Sequence, residues 1–426
     1  MDNSFGSRRS RLTGDGRRVV AAQALRAAGY GFTSVLLGRL LADRGASPGQ
    51  VGLLLAALVA GSAISSLVIG RFGDRVGRRR SYASIYLGIA VAGAVVAARA
   101  PLWLIAVVAL TGTLSTDVVD NGPATTLEQA MLAAEEGGRS GARAMGVYNF
   151  VGYIAGALGA LAQGGVGLAV HGSPGTVAFL VLVPLGLGGA ALALSLSPGV
   201  EPVTVDDPDD SHRHAEVSRL GPSRRRVFGL AGLFAIDAGG GGLVTTTFLS
   251  YYLTTRYGVA PFGLGALFFA ITLLQAVSVL LAPRLADRFG LIPTMVGTHL
   301  PSNLLLMAAA FAPTLAWASV LLLGRSLLSS MDVPTRQALV MAVVTPAERT
   351  PAAATTNAAR YVVRPFGPII AAVLQQNSLG APLVVSGLVK AGYDLSLWAW
   401  GSRHHLGAAT TTTPGPHTQP GGTMDL

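Results

Sequence analysis

The sequence predicts an all-α membrane protein whose twelve transmembrane helices form two pseudo-symmetric six-helix bundles. Three observations predict this fold. The 426 residues are 51% hydrophobic and only 12% charged, about half the charged fraction of soluble domains. Apolar runs of about 20 residues, long enough to cross a bilayer, recur along the chain. Short motifs of the first half also recur in the second half at a nearly constant offset.

The first half begins with a polar, basic segment, residues 1–18, which lacks the features of a secretory signal and is expected in the cytoplasm. The first apolar run follows directly and is interpreted as the first spanning helix. We predict a six-helix bundle over residues 19–196. Its spans are expected at 19–42, 49–70, 80–99, 101–120, 144–165 and 175–196.

A polar linker, residues 197–226, joins the halves. It is acidic at 206–210 and basic at 224–226, and it is too short to hold a catalytic domain. The tail at 402–426 is rich in Thr, Pro and Gly and is predicted to be disordered. Between them we predict a second bundle over residues 227–401, with spans at 227–253, 263–283, 292–312, 315–333, 352–374 and 380–400.

The arginines predict the orientation. If the N-terminus lies in the cytoplasm, most arginines between spans fall on that side, including those of residues 71–80 and the basic end of the linker. This is the positive-inside pattern. An even number of spans returns the C-terminus to the same side. We therefore expect a multi-pass protein of the plasma (inner) membrane, embedded in the lipid bilayer, with both termini cytoplasmic.

Composition and the absence of motifs exclude other classes of protein. The chain has no cysteine, so it forms neither disulfides nor thiolate metal sites. Its net charge of +10 comes from arginines in short inter-span segments, which argues against nucleic acid as a partner. No P-loop, H-E-x-x-H motif or nucleophile elbow is present. We predict that the protein is not an enzyme and uses no metal or cofactor.

A glycine-rich, arginine-rich loop separates the second and third predicted spans. It reads GRFGDRVGRRR over residues 70–80, and a weaker version, PRLADRFG, occupies 283–290. Together with two further pairs of matches in corresponding spans, it indicates two related halves. The matching positions are Asp74 with Asp287 at an offset of 213, Gly112 and Asp120 with Gly324 and Asp332 at 212, and Asn149 and Gly159 with Asn357 and Gly367 at 208.

This loop resembles the signature loop of the major facilitator superfamily, and the resemblance extends over about residues 19–400. The segments MDVPTRQ at 331–337 and YDL at 393–395 further resemble a poorly characterised, multidrug-efflux-like bacterial group of these transporters. The resemblance implies two six-helix halves around a central cavity, which opens alternately to the two sides of the membrane.

The resemblance also implies that the loop and its echo latch the two halves together in the outward-facing state. Glycine allows close helix approach, and a carboxylate is favoured at a helix N-terminus. Asp120 is the expected partner of the first loop, and Asp332 that of Arg288. The alternative is that these charges only set topology and bind anionic lipid. The predicted latch residues are Gly70, Gly73, Asp74, Arg75, Gly77, Arg78, Asp120, Asp287, Arg288, Gly290 and Asp332.

The fifth span carries small residues at helical spacing, namely Gly152, Gly156 and Gly159. Such a stripe permits close helix packing. Antiporters of the superfamily carry a glycine and proline motif in this span, and here Ala157 stands where that motif has proline. The stripe therefore favours antiport, with plain helix packing as the alternative.

Ionisable residues within spans are costly and face a cavity or a partner. Asp237, which precedes four glycines, is the predicted proton-coupling residue, with a structural ion pair to an arginine such as Arg26 as the alternative. Lys390 and Asp394, four residues apart, are expected to pair with each other. The superfamily often has a buried arginine in the fourth span. Here Arg325 occupies the equivalent tenth-span position. Predicted proton or substrate residues are Arg26, Asp237, Arg325, Asn149, Tyr153, Asn357 and Arg360.

The expected function is secondary active transport of small organic solutes by alternating access, as a proton-coupled exporter (an antiporter). Two alternatives stay open within transport, an uptake symporter and a facilitator, and one outside it, a polytopic membrane sensor. The expected partners are a small-molecule substrate, protons and lipid, and we expect a monomer. Buried arginines favour anionic or neutral substrates over polycations.

Overall fold

The computed structural model describes residues 13–115, 122–134, 141–169, 175–201, 220–345 and 348–403. In these ranges the chain forms sixteen α-helices and two short 3-10 helices, Thr176–Val181 and Pro198–Val200. The first half contains α1 (Gly14–Asp43), α2 (Pro48–Val76), α3 (Arg78–Ala97), α4 (Leu102–Ala109), α5 (Pro123–Ala134), α6 (Gly141–Ala169) and α7 (Leu182–Leu194). The second half contains α8 (Arg224–Leu243), α9 (Thr246–Tyr257), α10 (Pro261–Phe289), α11 (Leu291–Ala310), α12 (Leu315–Ser329), α13 (Asp332–Ala342), α14 (Arg349–Val363), α15 (Phe366–Gln375) and α16 (Ala381–Arg403).

These helices make twelve crossings, six in each half, because four crossings consist of two consecutive helices. The divided crossings are α4 with α5, α8 with α9, α12 with α13, and α14 with α15. The predicted fold class, an all-α bundle of twelve spans, is confirmed. Both the fourth and the tenth crossing are divided, which repeats in the structure the internal similarity of the sequence.

Two predicted span boundaries are wrong for one physical reason. The fourth span was expected to end at residue 120 and the tenth at 333, yet α5 continues to Ala134 and α13 to Ala342. The added turns contain Glu128 and Arg336, which are 0% and 5% exposed. A span predicted from hydropathy ends where such charged residues begin. In the folded bundle these side chains stay buried because each forms a salt bridge with an oppositely charged residue.

Five helical stretches are long and apolar enough to cross a membrane by length and composition alone. They correspond to the second, third, sixth, seventh and eighth crossings. Three of the seven other crossings, the fourth, tenth and eleventh, are divided into shorter helices. Helix α1 carries arginines at positions 17, 18, 26 and 39. The remaining crossings therefore depend on neighbouring helices to satisfy their polar groups.

Within the first half, α1 and α6 pack at the distance that only glycine allows. A Cβ added to Gly159 would lie 2.0 Å from the carbonyl oxygen of Ala28, and one added to Gly31 would lie 2.0 Å from that of Gly156. Both distances are far shorter than van der Waals contact. Two of the three glycines predicted as a packing stripe thus lie in this contact, and Gly152 is buried on the same helix.

The two halves meet at one end of the molecule. Ser250 Oγ donates to the Val35 carbonyl oxygen at 2.7 Å, and Arg39 Nη1 donates to that of Val259 at 2.6 Å. Close approaches of α2 to α15, at Gly52, and of α6 to α10, at Gly164, lie at the same end. At the opposite end a separate apolar cluster, which includes Phe234, holds the second half together by itself.

Candidate functional site

A cavity of about 210 Å³ lies between the two halves, next to the end where they meet. The first half contributes lining residues from α1 and α6, and the second half from α8–α9, α10, α12–α13 and the break before α15. No carboxylate is among the lining residues of the described chain. The polar lining includes Ser34, Tyr153, Thr245, Thr272, Gln275, Arg325 and Arg364.

Of the predicted cavity residues, Tyr153 and Arg325 line this central cavity. Asn357 and Arg360 instead line a smaller pocket of about 40 Å³ that lies within the second half, together with Phe234 and Arg336. Asn149 is half-buried on α6 and is not among the residues that line either space.

Arg26 and Asp237 lie in two buried ion networks, one in each half, and not on the cavity wall. Arg26 precedes Ser34 by eight residues, which is about 12 Å along an α-helix. Asp237 precedes the cavity-lining Val244 by seven residues, about 10 Å. Both networks therefore lie on the side of the cavity that faces away from the end where the two halves meet.

The first-half network is centred on Glu128, a residue that sequence reasoning missed. Its Oε2 accepts a hydrogen bond from Arg26 Nη2 at 2.6 Å and one from the Tyr148 hydroxyl at 2.5 Å. Its Oε1 accepts one from the Tyr82 hydroxyl at 2.8 Å. All four side chains are at most 2% exposed. The network ties α1, α3, α5 and α6 together, and every charge in it is compensated.

The second-half network is centred on Asp237. Lys390 Nζ lies 2.8 Å from Asp237 Oδ1, and Arg336 Nη1 lies 3.7 Å from Asp237 Oδ2. His299 Nε2 lies 3.9 Å from Asp237 Oδ1, the oxygen that Lys390 also contacts. The alternative for Asp237, an ion pair with an arginine such as Arg26, is wrong in its partner, because Arg26 pairs with Glu128. Asp237 instead lies near Lys390 and Arg336 of its own half.

A second carboxylate, that of Asp394, lies within hydrogen-bond distance of the other nitrogen of the same imidazole. His299 Nδ1 lies 2.8 Å from Asp394 Oδ1, and Asn303 Nδ2 donates to Asp394 Oδ2 at 2.8 Å. The predicted pair of Lys390 with Asp394 is wrong, because each of these side chains reaches a different helix. Helix spacing shows that two residues share a face but not which neighbour is closer.

The predicted partner of Arg288 is also corrected. Asp332 is buried, and its Oδ2 accepts a hydrogen bond at 2.5 Å from Nη1 of Arg336, one turn further along α13. Arg288 and Asp287 are exposed at the end of α10, and the Arg288 guanidinium lies 5.3 Å from the centre of the Phe289 ring. Gly290, at φ 91°, makes the turn into α11 in a conformation that favours glycine.

The first loop makes the same turn at Gly77, at φ 98°. Glu201, just after α7, accepts hydrogen bonds from the backbone N–H groups of Arg78 at 2.6 Å and Arg79 at 3.2 Å. This carboxylate caps the N-terminus of α3, where negative charge is favoured. Asp74 was the predicted hydrogen-bond acceptor of this loop, but its side chain lies outside the described part of the structure. The whole of Asp120 also lies outside the described residues.

The remaining residues of the loop differ in exposure. Gly73 is buried, whereas Gly70 and Arg75 are exposed, and the Arg75 guanidinium lies 5.8 Å from the Phe72 ring centre. In the second half Glu348 takes a comparable place before α14, accepting from the backbone N–H groups of Gly221 and Ser223. Hydrogen bonding from Ser223 holds the pKa of Glu348 at about 2.

A family model of the Major Facilitator Superfamily matches residues 19–378. The chain belongs to this superfamily. Its members are transporters, so the superfamily supports secondary transport across a membrane and not enzymatic activity. The predicted family resemblance is confirmed, and the two-half architecture with a cavity between the halves is that of the superfamily.

Individual relatives fit this membership. The "Uncharacterized membrane protein YJR124C" of Saccharomyces cerevisiae is 25% identical over 410 residues, covering 88% of this chain and 92% of that protein. A D-xylose-proton symporter matches with a TM-score of 0.72 and 14% identity over 90% of this chain and 97% of its own. The human organic anion transporter MFSD10 matches with a TM-score of 0.64 and 17% identity, over 90% of this chain and 100% of its own. At this identity the two solved structures show the shared fold alone.

Proposed function

We propose that this superfamily member is a proton-coupled antiporter that exports small organic solutes across the plasma membrane, with both termini in the cytoplasm. The observation that carries the proposal is the second-half network, in which one imidazole lies between two carboxylates, Asp237 and Asp394. Imidazole is the side chain that ordinarily titrates near physiological pH. Each imidazole nitrogen can hold or lack a hydrogen, so this site has a group that can carry a proton between two carboxylates.

A proton at this site changes the forces on the helix that leads to the cavity. When both nitrogens of His299 carry hydrogen, the ring donates to Asp394 at 2.8 Å and its positive charge lies 3.9 Å from Asp237. When one nitrogen is bare, this charge is absent and its attraction to both carboxylates is lost. Asp237 then depends more on Lys390 and Arg336. Protonation therefore shifts the balance of contacts between α8, α11, α13 and α16.

The shift can reach the cavity because α8 ends at Leu243 and the lining begins at Val244. Gly242 packs so closely that an added Cβ would lie 2.4 Å from the carbonyl oxygen of Arg364, itself a lining residue. A small movement of α8 is therefore transmitted to both segments. This supports coupling between the proton site and the solute site.

The arginine distribution supports the orientation, since the arginine-rich loop at 71–80 lies at the end of α2 opposite the contact between the halves. With that loop in the cytoplasm, the closed end is extracellular and the cavity faces inward. An exporter loads its solute in this state. The glycine stripe of α6 supports antiport over symport, because it resembles the motif of antiporters.

The test is flux in proteoliposomes that contain purified full-length protein and the pH dye pyranine, with an imposed pH gradient and a panel of small organic solutes. An antiporter moves protons against the solute, and co-entry of protons with the solute would instead show a symporter. His299→Gln and Asp394→Asn should uncouple solute flux from the gradient, while Arg225→Gln, an exposed change at the start of α8, should not. Gradient-driven flux that persists in both network variants contradicts the proposed coupling site.

A further inference from the structure

We propose that the central cavity binds a small organic anion and that the guanidinium of Arg325 receives its carboxylate. This inference rests on the proposed transport function, because it names the class of solute that the same cavity carries. The observation behind it is an uncompensated charge. Arg325 lines the cavity, its Nε is buried without a hydrogen-bond partner, and no carboxylate in the described ranges forms a salt bridge with it.

Two buried arginines of the described chain show what compensation looks like here. Arg26 has Glu128 at 2.6 Å, and Arg336 has Asp332 at 2.5 Å. A guanidinium does not give up its proton in proteins, so Arg325 cannot escape by becoming neutral. A permanent positive charge at membrane depth is costly and pairs with a partner or faces a water-filled cavity. An anionic solute that enters the cavity can supply the partner.

The walls of the cavity fit an organic anion better than an inorganic one. Apolar side chains, among them Leu249, Phe268 and Ile271, line it together with the hydroxyls and the amide already named. The five N–H groups of a guanidinium form a fork that matches a carboxylate with two parallel hydrogen bonds. Tyr153 and Gln275 can then bond to polar groups on the rest of the solute.

The size of the cavity indicates the size of the anion. An apolar cavity of about 150 Å³ holds a benzene molecule, and this cavity measures about 210 Å³. A monocarboxylic acid with a single ring therefore fits. Arg364, which also lines the cavity, adds to the positive potential that draws the anion in.

The experiment compares acids with their uncharged amides on purified full-length protein. The probes are benzoate and benzamide, phenylacetate and phenylacetamide, and nicotinate and nicotinamide, measured by calorimetric titration and by the shift in Tm. We expect the acids to bind and the amides to bind much more weakly. Arg325→Gln should lower the affinity for the acids about 10- to 100-fold, as expected for the loss of a charged hydrogen bond, and Arg325→Lys should lower it less. The matched control Arg225→Gln should retain the preference.

A second measurement needs no ligand. Removing an uncompensated charge should raise the Tm of the ligand-free protein, so Arg325→Gln should be more stable than the natural chain. Asp237→Asn, which breaks a compensated network, should be less stable. A fall in Tm for Arg325→Gln, or equal binding of acids and amides across the panel, overturns the inference. Loss of gradient-driven flux in wild-type proteoliposomes, with the preference for acids intact, would count against the proposed coupling and leave the anion site standing.

Discussion

Replacing Glu128 by glutamine should destabilise the protein by about 3–5 kcal/mol, the usual cost of removing one partner of a buried ion pair. The change removes the negative charge and almost no volume, so no cavity contributes to the cost. Arg26 would remain 2% exposed with no opposite charge. The Tyr82 and Tyr148 hydroxyls, which donate at 2.8 and 2.5 Å, would also lose a charged acceptor.

The double variant Arg26→Gln, Glu128→Gln separates this explanation from a general effect of altering the core. Two amides can hydrogen-bond to each other and leave no charge behind. Replacing both partners of a buried pair is often close to neutral. We therefore expect the double variant to recover most of the stability that each single variant loses, with a coupling energy above the ~0.5 kcal/mol scatter of independent sites.

The assay is denaturant or thermal unfolding of the purified protein in detergent, followed by intrinsic fluorescence. The control is Asp43→Asn, which removes the more exposed partner of the Arg39–Asp43 pair at 3.4 Å and should cost at most about 1 kcal/mol. A cost for Glu128→Gln no greater than that of the control would refute the reasoning. So would a double variant whose loss equals the sum of the single losses.

Two further predictions use other parts of the fold. Gly159→Ala should destabilise the protein by about 1–3 kcal/mol, as overpacking does, because the added Cβ would lie 2.0 Å from the Ala28 carbonyl oxygen in the contact of α1 with α6. Gly165→Ala on the same helix is the control, because its Cβ meets nothing within 4 Å. In the same unfolding assay this control should be neutral or stabilising. Asp74→Asn should reduce transport in proteoliposomes while leaving membrane insertion intact, since the latch hypothesis assigns this carboxylate to the change of state; unchanged transport would rule that role out.

The fold was predictable because the signals for it are local. Apolar runs mark the spans, and the repeated loop marks the halves, so neither depends on knowing how any helix is rotated. The turn glycines at 77 and 290 were readable for the same reason, since each stands between two spans. Both adopt the positive φ that favours glycine.

The pairing of charges was not predictable, because it depends on helix rotation and on which neighbours pack together. Glu128 lay beyond the predicted end of the fourth span, so the buried Arg26 had no visible partner in its own half. Arg336 likewise lies beyond the predicted end of the tenth span, at residue 333, and is therefore not among the expected intramembrane charges. One signal could have found both residues: a charge buried in one span requires an opposite charge nearby, and the chain must extend its helices to provide one.

The two ion networks occupy equivalent places with reversed polarity, and this distinguishes their roles. Arg26 and Asp237 are offset by 211 positions, and Glu128 and Arg336 by 208, within the range of the repeat found in the sequence. The first half thus pairs a cation on α1 with an anion on α5, and the second places an anion on α8 near a cation on α13.

The groups around each pair then decide what it can do. Tyrosine hydroxyls and the Arg26 guanidinium complete the first network, and by donating to Glu128 they hold four helices in fixed relation. The second network contains an imidazole, an ammonium and more than one carboxylate that share partners. Under the proposed proton coupling, the contacts of the second half depend on protonation and those of the first half do not. A proton gradient would then bias which side of the membrane the cavity faces.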